Sequence, residues 1–220
     1  MTIVSIDFSI LYPGACICRN FTDFKWIAGV NTDVRKIDQD HFSHISKNYL
    51  KLKIVHTESR RKKADQYHLT ERTKLTNYLE LIDVFVGAIA DDIKYDPSPI
   101  FCLEGISFGS SGNSLVDISQ ATGMLKMQIC SKLLHNRTDG FFIFSPSELK
   151  NAIGCKGNAN KEEILEKFKS DPVIAAARES DLYRLVCTEP WIKEKGKILS
   201  PVIDMVDSYL GVVKIHELLK

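Results

Sequence analysis

The sequence predicts an α/β fold, and three observations carry the prediction. Short β-rich runs alternate with long stretches whose apolar residues recur at three- and four-residue steps. The run Phe101–Glu104 follows a long helical pattern and leads through a Gly/Ser-rich loop into another, giving strand, loop, helix. With 220 residues and 44% apolar content the chain can bury one large core, and no repeat or low-complexity linker divides it, so residues 1–220 are expected to form a single domain.

Thr2–Ile6 is a strand that stops at Asp7. Gly14–Cys18 and Phe24–Val30 are two more, joined by the turn residues of Asn20–Asp23, so three antiparallel strands open the chain. Residues 31–51 are mixed and polar, with room for a short helix, and Leu52–Val55 is a fourth strand. The basic run Arg60-Arg61-Lys62-Lys63 is either a solvated face or a phosphate contact.

Leu75, Tyr78, Leu79, Ile82, Phe85, Val86, Ile89 and Ile93 mark a long helix over 69–93, ended by Asp96-Pro97-Ser98-Pro99. Leu115, Ile118, Thr122, Leu125, Ile129 and Leu133 mark a second, broken by His135–Gly140, and Phe141–Phe144 is a further strand. Ser145-Pro146 with Glu148 caps a helix that stops before Gly154. A polar loop over 155–160 precedes a helix over 161–169. Residues 171–199 read as short helical pieces and a polar loop with Lys193, Lys195 and Lys197; a final helix occupies 201–219.

Net charge is +1 with 26% charged residues, so bulk charge selects neither nucleic acid nor membrane. The six cysteines form no CxxC pair or zinc spacing, the start of the chain lacks a signal-peptide pattern, and no run approaches the roughly 20 apolar residues of a membrane span. A soluble intracellular protein is expected.

The chemistry lies in the acids. Asp7 and Glu104 each end a buried strand, where a carboxylate is costly unless a cation neutralises it, although a lone acid there can also be solvated. Asp204 and Asp207, three apart at the start of the last helix, share one face. The helix dipole alone would favour acids there, but apolar neighbours on nearly all sides leave this pair little solvent. Oxygen-only ligands suit Mg2+ or Mn2+ rather than zinc, and two such ions about 3.5–4 Å apart are suited to phosphodiester hydrolysis.

Strand Asp7, hairpin, strand Glu104 with its Gly/Ser loop, and terminal Pro201-x-x-Asp204-x-x-Asp207 together resemble, in that order, the RuvC-type Holliday junction resolvases of the RNase H-like superfamily. The segment Leu149–Lys161, LKNAIGCKGNANK, resembles the same family's Lys- and Gly-containing stretch, with one more residue between its glycines. The resemblance implies an RNase H-like, mixed five-stranded sheet flanked by helices, acting as a homodimer on four-way DNA. It implies Asp7, Glu104, Asp204 and Asp207 as ligands of two Mg2+ (or Mn2+) ions, and Lys161 as a basic residue near the scissile phosphate. The extra sequence at 31–69 and 171–199 points to a virus-encoded or organelle-type branch, and in the viral case to the host cytoplasm.

Lys150, Lys156 and Lys161 are expected to face the DNA backbone, the alternative being solvated helix-end lysines. Phe108, four positions after Glu104, either packs in the fold or stacks on an unpaired base at the branch point. Three other functions fit less well. A nuclease of linear DNA or an RNA–DNA hybrid would use the same acids, and a non-catalytic DNA-binding module would make them structural. An actin-like ATPase would need a glycine in the turn after Asp7, where Phe8-Ser9-Ile10 stands.

Overall fold

The computed structural model describes residues 1–31, 51–55, 67–106, 113–188, 193–194, 197–198 and 200–220. The segments 32–50, 56–66 and 107–112, with the expected short helix, the basic run at 60–63 and Phe108, lie outside the described residues.

A mixed sheet forms the middle layer. Strands β1 (Thr2–Asp7), β2 (Gly14–Arg19) and β3 (Asp23–Asn31) are antiparallel, as the turn residues between them require. In the three-residue connection between β2 and β3, Asn20 and Phe21 both have positive φ, 50° and 58°, and Thr22 N–H donates to Arg19 O to close the turn. Beyond β1 lie β5 (Ile100–Glu104) and β6 (Phe141–Phe144), both parallel to it, completing the expected five-stranded mixed sheet. A sixth strand, β4 (Lys51–Val55), extends the sheet beside β3, so the order is β4-β3-β2-β1-β5-β6.

Alternation along the central strand sorts its side chains between two helical layers. Val4 and Ile6 join the apolar cluster under α1 (Tyr67–Ile93) and α2 (Asn113–Gln128). Ile3, with Cys16 and Cys102 of the neighbouring strands, faces the opposite layer of α3 (Pro146–Ala152), α4 (Lys161–Ser170), α5 (Asp181–Thr188) and α6 (Val202–Leu218). The second predicted helix is continuous as far as Leu133, but its last turn, Ile129–Leu133, is a π-helix closed by Leu134 N–H donating to Ile129 O at 3.1 Å. In the stretch expected as a polar loop, Lys193–Glu194 (β7) pairs antiparallel with Lys197–Ile198 (β8). Two strands of two residues each are too short to show alternation in the sequence.

Helix α6 is apolar on nearly every side and is buried accordingly, lying on β1, β2 and β5 beneath α3, α4 and α5. Tyr209 centres an aromatic group with Phe24, Trp26 and Phe168, and its hydroxyl accepts a hydrogen bond from Ile174 N–H at 2.9 Å. Two glycines set how close the helix comes to the sheet. A Cβ on Gly14 would stand 2.6 Å from the Asp204 carbonyl oxygen, and one on Gly211 would collide with Ser5 Oγ and stand 2.5 Å from Cys102 Sγ.

Gly→Ala inside a helix ordinarily stabilises by up to about 1 kcal/mol. Gly211→Ala is expected to reverse that sign, lowering unfolding free energy by about 1–3 kcal/mol through overpacking. Urea denaturation measures it; an unchanged or higher midpoint would show that α6 does not need this contact.

Candidate metal centre

The sheet register brings two acids together. β1 and β5 are parallel neighbours paired up to Ile6 and Leu103, so Asp7 and Glu104, the next residues, leave the same end of the sheet. Their parity matches Ser5 and Cys102, the pair that faces Gly211 of α6. Asp7 pairs with Gly14 across the β1–β2 ladder, and Gly14 is the residue against which the Asp204 backbone packs. The close approach of α6 therefore delivers Asp204 and Asp207 to the end of β1.

Carboxylate oxygens of Asp7, Asp204 and Asp207 lie within 4.8 Å of one another. Glu104 is not part of that group of three but borders the same cleft of about 570 Å³, together with Lys150, Asn160 and Lys161. The side chains of Asp204 and Asp207 are only 8% and 10% exposed. Asp204 Oδ2 and Asp207 Oδ1 are buried with no hydrogen-bond partner among the described residues. Buried acceptors are rarely left unsatisfied, and two on adjacent like charges fit a hard, oxygen-seeking cation. The donor set therefore suits Mg2+ or Mn2+, the class of ion the sequence implied.

Among the described residues, the cation paired with Asp204 and Asp207 is Lys161. Its Nζ stands 3.0 Å from Asp204 Oδ1 and 3.1 Å from Asp207 Oδ2. Its position is fixed locally: Asn160 is the N-cap of α4, accepting from Glu163 N–H while the Glu163 carboxylate accepts from Asn160 N–H. Lys161 is thus the first helical residue. The loop before it is fastened by Lys150, whose Nζ donates to Ala159 O at 2.8 Å.

Burial pushes the Asp7 carboxyl well above the usual carboxylate range, and Asp207, Glu104 and Asp204 add to the rise while Lys161 opposes it. Burial also raises Glu104, with Asp207 adding and Lys150 and Lys161 opposing. Asp207 is raised by burial against the pull of Lys161. Burial disfavours the charged Lys161, yet Asp207, Asp204 and Asp7 together carry its pKa above the ordinary lysine value. The phenol of Tyr12 is raised by burial and by Asp204, which places the β1–β2 loop beside the acids.

Of the residues singled out in the sequence, Asp7, Glu104, Asp204, Asp207, Lys150 and Lys161 converge on this one region. Lys156 is exposed but does not line the cleft. Sequence reasoning missed Gly14, Gly211 and Asn160 as positioning residues. Asn160, three residues before Glu163, carries a capping signal that could have been read.

An acid whose pKa is raised on folding binds protons more tightly in the native state, so it costs stability above that raised value. The cost is relieved as pH falls through the raised value toward the ordinary 3.8 of Asp. Without divalent metal, Asp7→Asn is therefore expected to melt higher than the unaltered protein at pH 7, by about 2–4 °C for each kcal/mol of repulsion removed. The gap should narrow on acidification. A lower melting temperature at pH 7 would mean that the Asp7 charge is compensated.

No protein-family model matches the chain, and no curated protein does. Solved structures do. The Thermus thermophilus RuvC structure is similar at 11% identity over 99% of this chain and 96% of that one, with a TM-score of 0.46. The Fowlpox virus resolvase, in a complex with substrate Holliday junction DNA, is similar at 17% identity over the whole of both chains, with a TM-score of 0.42. The yeast mitochondrial Holliday junction resolvase is similar at 13% identity over 96% of this chain and 77% of that one, with a TM-score of 0.45.

Proposed function

We propose that this chain is a divalent-metal-dependent, structure-selective endodeoxyribonuclease that resolves four-way DNA junctions by paired symmetric cuts. The observation that carries the metal-dependent chemistry is the convergence of Asp7, Asp204 and Asp207, with two buried carboxylate oxygens unpartnered among the described residues, beside Glu104 in an open cleft. The choice of a four-way junction is supported by the order of motifs along the sequence, which resembles RuvC-type resolvases.

Asp7, Glu104, Asp204 and Asp207 would hold two Mg2+ or Mn2+ ions. Bound there, such ions supply an activated water and stabilise the leaving oxygen of the phosphodiester. The residues of the chain do the rest. Like-charge repulsion among the acids keeps the site selective for a cation. Lys161 at the first turn of α4 stabilises charge developing on the phosphate. Lys150 holds the loop that presents Lys161, and exposed Lys156 reads backbone charge further out. Phe108, near the branch point, stacks on an unpaired base in this reading.

The deciding experiment presents four-way junction, linear duplex and RNA–DNA hybrid to the same preparation with and without Mg2+. Paired, Mg2+-dependent nicks in the junction are expected, with Asp7→Asn binding junction but not cutting it. Equal cutting without divalent metal would overturn the metal reading, and preference for duplex or hybrid would replace the junction with that substrate.

Two symmetric cuts need two active sites related by a two-fold axis, so the working form is a homodimer. The interface is assigned to α2, which exposes Val116 and Met127 and borders, with α1, a groove of about 520 Å³ containing Leu75, Tyr78 and Met124. Light scattering should give a dimer, and Met127→Glu should yield monomers that leave unpaired nicks. A monomeric parent with undiminished paired cutting would contradict the assignment.

A further inference from the structure

We propose that Lys161 and one of the two divalent ions are mutually exclusive occupants of the Asp204–Asp207 carboxylate pair, the ammonium serving as the resident counter-ion until metal displaces it. The inference rests on the metal-dependent reading above and specifies how that site is filled.

Its first support is geometry. One ammonium bridges two acids that lie three residues apart on the same helix face, at 3.0 and 3.1 Å. Each acid spends one oxygen on the lysine and keeps its other oxygen buried and, among the described residues, unpartnered. A single positive charge is thus shared by two carboxylates, with Asp7 close behind them. The local charge remains negative with lysine in place, so the pair retains attraction for a second, stronger cation.

Access is the second support. The Lys161 side chain is 53% exposed while the acids are 8% and 10% exposed, so the ammonium enters the cradle from the open side of the cleft. Its backbone is held by the Asn160 cap, but the four-carbon stem is free to swing. A Mg2+ or Mn2+ ion needs oxygen ligands much closer than these nitrogen–oxygen distances, at about 2.0–2.1 Å for Mg2+. A metal seated on the remaining oxygens of the same two carboxylates would face the bound ammonium across a poorly screened gap, and the repulsion between the two positive charges is what makes the occupants exclusive.

Displacement then has a use. Once released, the ammonium remains tethered at the mouth of the cleft, where an incoming phosphate is its next available partner. Because linkage is reciprocal, a phosphate that draws Lys161 away also frees the cradle for metal. The lysine thus couples loading of the cation to arrival of substrate.

The test is calorimetric titration of Mn2+ alone, without DNA, into the full chain and into Lys161→Gln and Lys161→Arg. Removing the competing charge should tighten Mn2+ binding by roughly tenfold, within the ordinary range of site-to-site coupling, while Lys161→Arg, which keeps the charge, should gain far less. Melting curves give a second readout. Lys161→Gln should be less stable than the parent without metal and should gain more from saturating Mn2+. Equal Mn2+ affinity and equal metal-induced stabilisation in the parent and Lys161→Gln would overturn mutual exclusion while leaving the metal site standing. Absence of Mn2+ binding in all three proteins would overturn the metal-dependent reading itself.

Discussion

Everything at the candidate site depends on one electrostatic constraint: three carboxylates share a space in which their oxygens lie within 4.8 Å, with a fourth at the same cleft. A fold tolerates such a concentration of buried like charge only where cations neutralise it. The protein's own contribution is small, since Lys161 divides one positive charge between Asp204 and Asp207. Burial, with the remaining imbalance adding to it, lifts Asp7 well above the usual carboxylate range, and in the proposed reading a divalent cation offsets that imbalance.

That concentration of charge is held in place by apolar packing. Helix α6 carries two of the acids on its first turns and is buried as far as Val213 against β1, β2 and β5, with Tyr209 tied into the aromatic group beneath α4. Its approach to the sheet is limited by contacts at Gly14 and Gly211, where a methyl group would meet backbone or neighbouring side chains. The energy that forces the acids together comes from the hydrophobic layer, and the site is the place where that energy is spent against electrostatics.

Much of this was legible in the sequence because it is encoded locally. The i, i+3 spacing of Asp204 and Asp207 sets their common face whatever surrounds the helix. The alternation of β1 and β5 puts Asp7 and Glu104 at the ends of strands, and the capping box at Ser145 and Glu148 starts α3 where it was expected. What was hidden depends on partners distant in sequence. Gly14 looks like an ordinary strand residue until α6, some 190 positions later, lies across it. The grip of Lys161 on the acids spans 43 positions and needs α4 and α6 to be side by side, so the sequence could suggest a lysine near phosphate but not a lysine bridging two carboxylates. The short β7–β8 pairing lies in a charged stretch with no alternation to betray it.

The central claim is that these acids form a divalent-cation centre. The most direct measurement is anomalous diffraction from crystals of the full chain soaked in Mn2+ without DNA. The account predicts an anomalous peak among Asp7, Asp204 and Asp207, accompanied by movement of the Lys161 ammonium off the pair. Crystals that take up Mn2+ elsewhere while Lys161 stays bonded to both aspartates would contradict it.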